Sequence, residues 1–243
     1  EIPDNQTTPG REGYPVGALF ALKSAGLDDQ GYPLFYNKKG EKVTATELLK
    51  LNTAGASTLT AAEQRDLYTY IGSSDPLYTG GFINTFTYKN WELSANLIKN
   101  LKMYTRCTPT YSPTTYDRGM NSNRDILQRW TPTNTNTLFP RLMNSTDRPA
   151  EYIQYSEFRL YDLMDTWIKR CDYFRLQNLR LAYTLPHELT KKMGVERVSV
   201  GVEARNLLVF GSNYNNYLDP ETMGNQFAQP IQRSFTFNLN IDF

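Results

Sequence analysis

The last ten residues, 234–243, alternate without interruption. Phe235, Phe237, Leu239, Ile241 and Phe243 share one phase; Thr236, Asn238, Asn240 and Asp242 share the other. Side chains of a β-strand point to opposite faces with a period of two, so this segment has one wholly apolar and one wholly polar face. Its length matches the ~9–11 residues with which a tilted strand crosses a bilayer. The apolar face must meet either a protein core or lipid, and that choice governs what the rest of the chain can be.

Composition leaves both options open. The 243 residues include 26 basic and 25 acidic ones, so the net charge of +1 marks no nucleic-acid partner. Mean hydropathy is −0.56. The longest unbroken apolar run, 18–22, is far short of the ~20 residues of a transmembrane helix. A membrane β-barrel is compatible with these values, because only alternate residues of each strand meet lipid. The 17 Tyr, 12 Phe and 3 Trp suit that option. No signal peptide or lipidation motif opens the chain at Glu1, which reads as prior processing or as a piece of a longer polypeptide.

Six segments alternate: about 14–23 (Tyr14, Val16, Ala18, Phe20, Leu22), 80–88 (Phe82, Phe86, Tyr88, with Asn84 interrupting), 91–100 (Trp91, Leu93, Ala95, Leu97), 172–185, 197–205 (Val198, Val200, Val202, Ala204) and the final strand. In 172–185 the phase of Leu179, Leu181, Tyr183 and Leu185 is opposite to that of Phe174 and Leu176, which predicts a bulge near Gln177 and Asn178. The connections alternate too. Lys89 and Asn90 form a two-residue hairpin turn, and 186–196 holds a helical turn over 188–193 stopped by Gly194. The stretches 24–79, 101–171 and 206–233 are long. Outer-membrane barrels alternate short periplasmic turns with long outer loops in this way.

The phase opposite the apolar faces carries Glu92, Ser94, Asn96, Arg180, Glu203 and Arg205, whereas the apolar residues named above include no charge. Arg or Lys on a lipid face costs about 2–4 kcal/mol at mid-bilayer, so this segregation favours lipid on one side and a wet lumen on the other. Tyr88 and Trp91 flank the tight turn where an interfacial aromatic belt belongs. Six strands are too few to close a barrel, which needs at least about eight, so a larger barrel is expected. The last strand then pairs with 197–205 on one side and with a strand outside this chain on the other. The alternative is a secreted β-sandwich binding or adhesion module recognising carbohydrate, which shares the strands and aromatic loops but not the length of the connections.

Over most of its length the chain resembles the C-terminal part of SusC/RagA-like TonB-dependent outer-membrane transporters of Bacteroidota. The resemblance is carried, in order, by REGYPVGALF (11–20), IGSSDPLYTGGFINTFTYKN (71–90), RWTPTNTNTLFPRL (129–142), DYFRLQNLRLAYTLP (172–186), VEARNLLVF (202–210), LDPE (218–221) and RSFTFNLNIDF (233–243). It implies an all-β transmembrane antiparallel barrel of about 22 strands, with residues 1–243 supplying about the last six and three long extracellular loops. It also implies TonB-dependent import of a large nutrient, a glycan or oligosaccharide or a peptide, with a SusD-like surface lipoprotein as partner. The location implied is the outer membrane of a Gram-negative bacterium, with a periplasmic C-terminus. The plug and TonB box of such a protein are expected to precede Glu1.

No catalytic constellation, metal set or cofactor motif stands out. His187 is the sole histidine, which rules out multi-histidine sites within this chain. It reads as a turn residue. Cys107 and Cys171 lie at the two ends of a long loop and would come within disulfide reach if the flanking strands pair; two separate thiols are the alternative. Loop residues Trp130, Tyr214, Asn215 and Tyr217, with Tyr111, Tyr116 and Asn216, combine flat apolar faces with hydrogen-bonding groups suited to a ligand or a partner lid. A short helix is expected at 125–129, and Asp28, Asp29, Asp219 and Glu221 lack calcium-loop spacing. The apolar set Phe235, Phe237, Leu239, Ile241 and Phe243 is expected to serve barrel assembly.

Overall fold

A computed structural model describes residues 11–52, 56–109, 124–143, 159–211, 219–225 and 228–243. The chain divides into two compact units. One comprises residues 1–74 and 105–169, the other 75–104 and 170–243.

The first unit has a conventional buried core. Strand β1 (Ala18–Ala21) pairs antiparallel with β5 (Thr69–Ser73), and β2 (Ser24–Leu27), β3 (Pro33–Tyr36) and β4 (Lys42–Val43) form a second small sheet. Helices α1 (Ala45–Leu49), α2 (Ala61–Arg65) and α3 (Arg159–Asp162) complete it, and Phe20, Leu22, Phe35, Leu48, Tyr161 and Trp167 are among its core residues. The expectation of an alternating sheet strand over 14–23 is therefore corrected. Residues 18–22 are at most 4% exposed, whereas Val16 is 90% exposed. An unbroken apolar run satisfies either phase of an alternation, so its apparent period is uninformative. Such a run signals burial on both faces.

The helices α1 and α2 are too short to be stable alone. Each is opened by the same capping box. The Thr44 hydroxyl accepts from the Glu47 N–H at 3.3 Å while the Glu47 carboxylate accepts from the Thr44 N–H at 2.9 Å. Thr60 and Glu63 repeat this at 3.3 and 2.8 Å. Two orphan N–H groups are satisfied at each start.

Near α3, Arg106 donates to the Asp162 carbonyl at 2.8 Å and to the Phe20 carbonyl. Burial pushes the Asp162 carboxyl from its ordinary 3.8 up to about 6, with Arg106 opposing the shift. The folded unit therefore keeps a proton that the unfolded chain has released between about pH 4 and pH 6. Stability is expected to fall as pH rises through that window and to level off above it. Asp162→Asn should flatten the dependence, as read by hydrogen exchange of residues 18–22 across pH 4–7; an unchanged slope would reject the assignment.

The second unit is one antiparallel sheet. In spatial order it runs β12 (Ser234–Asp242), β11 (Arg197–Gly211), β10 (Tyr173–Thr184), β7 (Trp91–Leu101) and β6 (Tyr78–Tyr88). A separate two-stranded ribbon pairs β8 (Tyr104–Arg106) with β9 (Ile168–Arg170). Five of the six expected segments thus enter the large sheet. Strands β6 and β7 meet at the Lys89 and Asn90 turn, where Lys89 takes a left-handed φ of 52°. Strands β10 and β11 are joined through helix α4 (His187–Lys192), and Gly194 follows it at φ 72°.

Register turns the strand patterns into rows. Phe86, Leu93, Leu181, Val202 and Phe237 lie side by side across all five strands. Tyr88, Trp91, Tyr183, Val200 and Leu239 form the next row towards the tight turn, with the Trp91 and Tyr183 rings 4.7 Å apart. In the opposite direction the predicted irregularity is present. Both ladders of β10 shift register between Leu176 and Asn178, so Phe82, Leu97, Leu176 and Leu208 continue the same apolar side. Without that extra residue Leu176 would fall on the polar side.

β11 runs six residues beyond its expected end at 205. Asn206 absorbs a second irregularity at φ 53°, and pairing resumes at Leu208. One charge does join the apolar side: Lys99 extends the phase of Leu97. A Cβ placed on Gly80 would lie 3.0 Å from the Lys99 Cε, so the lysine stem lies along the glycine backbone. Near a strand end, such a stem covers apolar surface while its ammonium reaches water.

Candidate functional site: the polar sheet face and its buried anchor

The other side of the same rows is polar. Thr85, Ser94, Arg180, Glu203 and Thr236 form the central row, flanked by Ile83, Asn96, Asn178, Arg205 and Ser234 and by Thr87, Glu92, Ala182, Gly201 and Asn238. Its side chains are cross-linked. Arg180 Nη1 donates to Glu92 Oε1 at 3.3 Å, Asn178 Nδ2 to Glu203 Oε1 at 3.0 Å, and Arg205 Nε to the same Glu203 oxygen at 2.5 Å. Asn96 donates to Gln177 at 3.0 Å, and Thr85 to Ser94 at 3.3 Å. The Arg180 and Glu92 side chains are 40% and 45% exposed. A pair that accessible to water contributes at most about 1 kcal/mol, so it furnishes hydrogen-bonding groups rather than rigidity.

Towards the far end of β10 the opposite holds. The Arg175 side chain is only 2% exposed and ion-pairs with Asp219, and its Nε donates to Glu221 Oε1 at 2.9 Å. Its guanidinium stands 5.6 Å from the Tyr173 ring centroid, and the Tyr173 hydroxyl accepts from Asn100 at 2.7 Å. The Asp219 carboxylate also accepts the Glu221 N–H at 3.0 Å. Arg175 thus ties a segment of the 206–233 connection to the sheet. This anchor was missed in the sequence, where Arg175 is one of two arginines in an alternating strand and LDPE (218–221) is an unremarkable acidic turn. The signal is an arginine in the phase opposite Phe174 and Leu176, with two carboxylates in the 206–233 connection that follows the partner strand β11.

The predicted site residues fare differently. Trp130 packs on backbone: a Cβ built on Gly31 would come within 2.5–2.7 Å of its ring, and its N–H donates to the Phe139 carbonyl at 2.8 Å. It is a loop anchor, next to the expected short helix, a 3-10 turn at Arg124–Gln128. Tyr214, Asn215 and Tyr217, with Tyr111, Tyr116 and Asn216, lie outside the described residues. Asp28 is used locally, its Oδ1 accepting the N–H groups of Gln30 and Tyr32 at 2.8 Å. Among the described residues no group of three or more His, Cys, Asp or Glu could hold a metal ion. His187 is the exposed first residue of α4.

Of the two readings of the cysteines, the structure shows separate thiols rather than the disulfide. Cys107 and Cys171 are both buried thiols. The Cys107 N–H donates to the Trp167 carbonyl, and the Cys171 N–H to that of Met103, each at 2.8 Å. The cysteines therefore stand at opposite ends of the β8–β9 ribbon, whereas a bridge needs Cα atoms within about 7 Å. Burial pushes the Cys107 thiol up, with Lys169 opposing the shift, which disfavours the reactive thiolate. On β12 and just after it, Phe235, Phe237, Leu239, Ile241 and Phe243 are 41–89% exposed. β12 and β6 are the two edges of the sheet, each with one neighbour among the described residues.

No family model matches the chain. A curated relative, TonB-dependent receptor P3 of Formosa agariphila, is 28% identical over 253 residues, covering 98% of this chain and 23% of the relative. Solved structures of the RagAB peptide transporter share its fold at 24% identity. One aligns with a TM-score of 0.71 over 100% of this chain and 24% of the other; the closed-closed state gives 0.70 over 100% and 25%. The open-open state of the RagAB peptide importer gives 0.66 over 95% and 23%. The chain spans about a quarter of the length of these relatives. In sequence and fold it is SusC/RagA-like, similar to a segment of a TonB-dependent outer-membrane β-barrel.

Proposed function

We propose, with the SusC/RagA likeness as premise, that this chain is a C-terminal section of an outer-membrane importer. In this reading its five-stranded sheet is an arc of a barrel of about 22 strands. The apolar side meets lipid, the Glu92, Arg180, Glu203 and Arg205 side faces the transport path, and the long connections lie outside the cell. Residues beyond this chain supply the plug and the contact with TonB, and a SusD-like lipoprotein covers the outer opening. The cargo is a peptide in preference to a glycan, a choice that the likeness to a peptide importer supports.

One observation carries the membrane reading. The row Phe86, Leu93, Leu181, Val202 and Phe237 is 38–79% exposed on every strand. A soluble sandwich of the alternative kind covers such a face with a second sheet; among the described residues the second unit contains no such layer. Exposed apolar area of this width requires a partner phase. A charge-poor apolar face backed by an ion-paired one is the pattern of a barrel wall.

Two experiments test this. In a strain lacking the full-length protein, uptake of labelled oligopeptides is expected to drop while uptake of monosaccharides is unchanged; loss of oligosaccharide uptake instead would replace the cargo. Deletion of residues 234–243 is expected to abolish the heat-modifiable folded barrel in outer membranes, and Phe243→Ala to reduce it. Normal levels of folded barrel after the deletion would overturn the wall assignment, since an exposed edge in lipid leaves backbone groups unpaired at several kcal/mol each.

A further inference from the structure

A cavity of about 290 Å³ opens on the first unit between the β3–β4 turn and the two capped helices. Its floor is aliphatic, formed by Val43, Leu48, Leu59 and Leu67, and its rim carries Lys38, Lys39, Lys50, Glu47 and Glu63. These charges are not equivalent. Lys38 pairs with Asp66 at 3.3 Å. Glu47 and Glu63 each turn a carboxylate oxygen to the Thr of their own capping box. The Thr60 backbone N–H, then its hydroxyl, hold Glu63 below the usual carboxylate range, so it stays ionised and engaged. Lys39 and Lys50 are exposed, and among the described residues neither forms an ion pair, the Lys50 charge acting on Glu63 only from a distance. Two ammonium groups with unused donors therefore flank an aliphatic hollow.

The lining selects against sugar. No aromatic ring is present to stack on a pyranose face. The volume sits near the lower limit of about 300 Å³ for small-molecule pockets, enough for one branched side chain and its flanks but not for an oligosaccharide. In an extended peptide, neighbouring side chains point to opposite faces and i±2 residues to the same one, so an aliphatic residue on the floor brings the residues two positions before and after it to the rim.

We propose that this cavity anchors a soluble acidic peptide, with a Leu-, Ile- or Val-sized side chain on the aliphatic floor and carboxylates two residues to either side of it accepting hydrogen bonds from the Lys39 and Lys50 ammonium groups. That such a peptide is imported rests on the reading above; the binding site itself does not. The lysines act as point charges, so recognition tolerates either Asp or Glu but weakens with salt.

The test uses the full-length protein in detergent and fluorescence anisotropy of two labelled heptapeptides, Gly-Glu-Ser-Leu-Ser-Glu-Gly and Gly-Gln-Ser-Leu-Ser-Gln-Gly, which place the varied residues on the same face as the leucine. The acidic peptide is expected to bind about fivefold more tightly, as two exposed ion pairs allow, with the gap closing at high salt. Lys39→Gln with Lys50→Gln should erase the preference and leave the affinity of the glutamine peptide unchanged, since both side chains lie outside the core. Equal affinities in the unmodified protein, absent binding, or a preference that survives the double substitution would each overturn the assignment. If the preference is present while a strain lacking the protein still takes up peptides normally, the import reading fails and the cavity assignment stands.

Discussion

Leu181→Arg is expected to remove most folded, heat-modifiable barrel from outer membranes, while Leu181→Ala leaves it nearly unchanged. Leu181 is central in the apolar row and directly faces Leu93 and Val202. Arginine at mid-bilayer costs about 2–4 kcal/mol, whereas lipid fills the space that a Leu→Ala change vacates. The pair of substitutions discriminates between lipid and a protein core. In a packed core Leu→Ala would itself cost about 2–5 kcal/mol, because the surroundings collapse only partly into the cavity. Thr236→Lys, on the opposite face beside Glu203, serves as the control and is expected to be tolerated. Comparable losses for the alanine and arginine variants would place this face against protein.

Arg175→Ala should release the 219–225 segment from the sheet. With the guanidinium gone, Asp219, whose side chain is 4% exposed, is left as a buried carboxylate without its cation. Breaking one partner of a buried ion pair costs about 3–5 kcal/mol, mostly the price of the stranded charge. Hydrogen exchange of 219–225, including the Glu221 and Thr222 amides that Asp219 now accepts, is the direct measure. Arg175→Met combined with Asp219→Leu should recover much of the loss, since replacing both ions by apolar groups of similar size removes the unpaired charge. Unchanged protection in Arg175→Ala would show that the segment is held by other contacts.

Most of the sheet was legible because its signal is local and repeated. An apolar residue at every second position, backed by Glu92, Arg180, Glu203 and Arg205 in the other phase, leaves little choice of which side faces which solvent. The bulge at Gln177 was legible for the same reason, as the phase of Leu176 contradicts that of Leu179 and only an extra residue reconciles them. The extension of β11 past 205 was not, because Asn206 in a left-handed conformation interrupts the pattern and a polar residue there reads as a loop start. The paired Thr-x-x-Glu boxes at 44–47 and 60–63 mark two helix starts by their spacing, inside a connection where a period-of-two pattern carries no information.

The terminal strand shows where each kind of information ends. Alternation over 234–243, with no charge among its five apolar residues, determined by itself that the chain ends in a two-faced strand of membrane-spanning length. A period of two depends only on backbone geometry, so it survives without knowledge of neighbours. Only the tertiary structure decided that 18–22 is a core strand of a separate unit, that Arg175 binds Asp219 and Glu221 more than 40 residues away, and that Cys107 and Cys171 stand at opposite ends of one ribbon. Each of those depends on which distant segment becomes a neighbour. Loop closure costs entropy but leaves no periodic mark on the residues it joins.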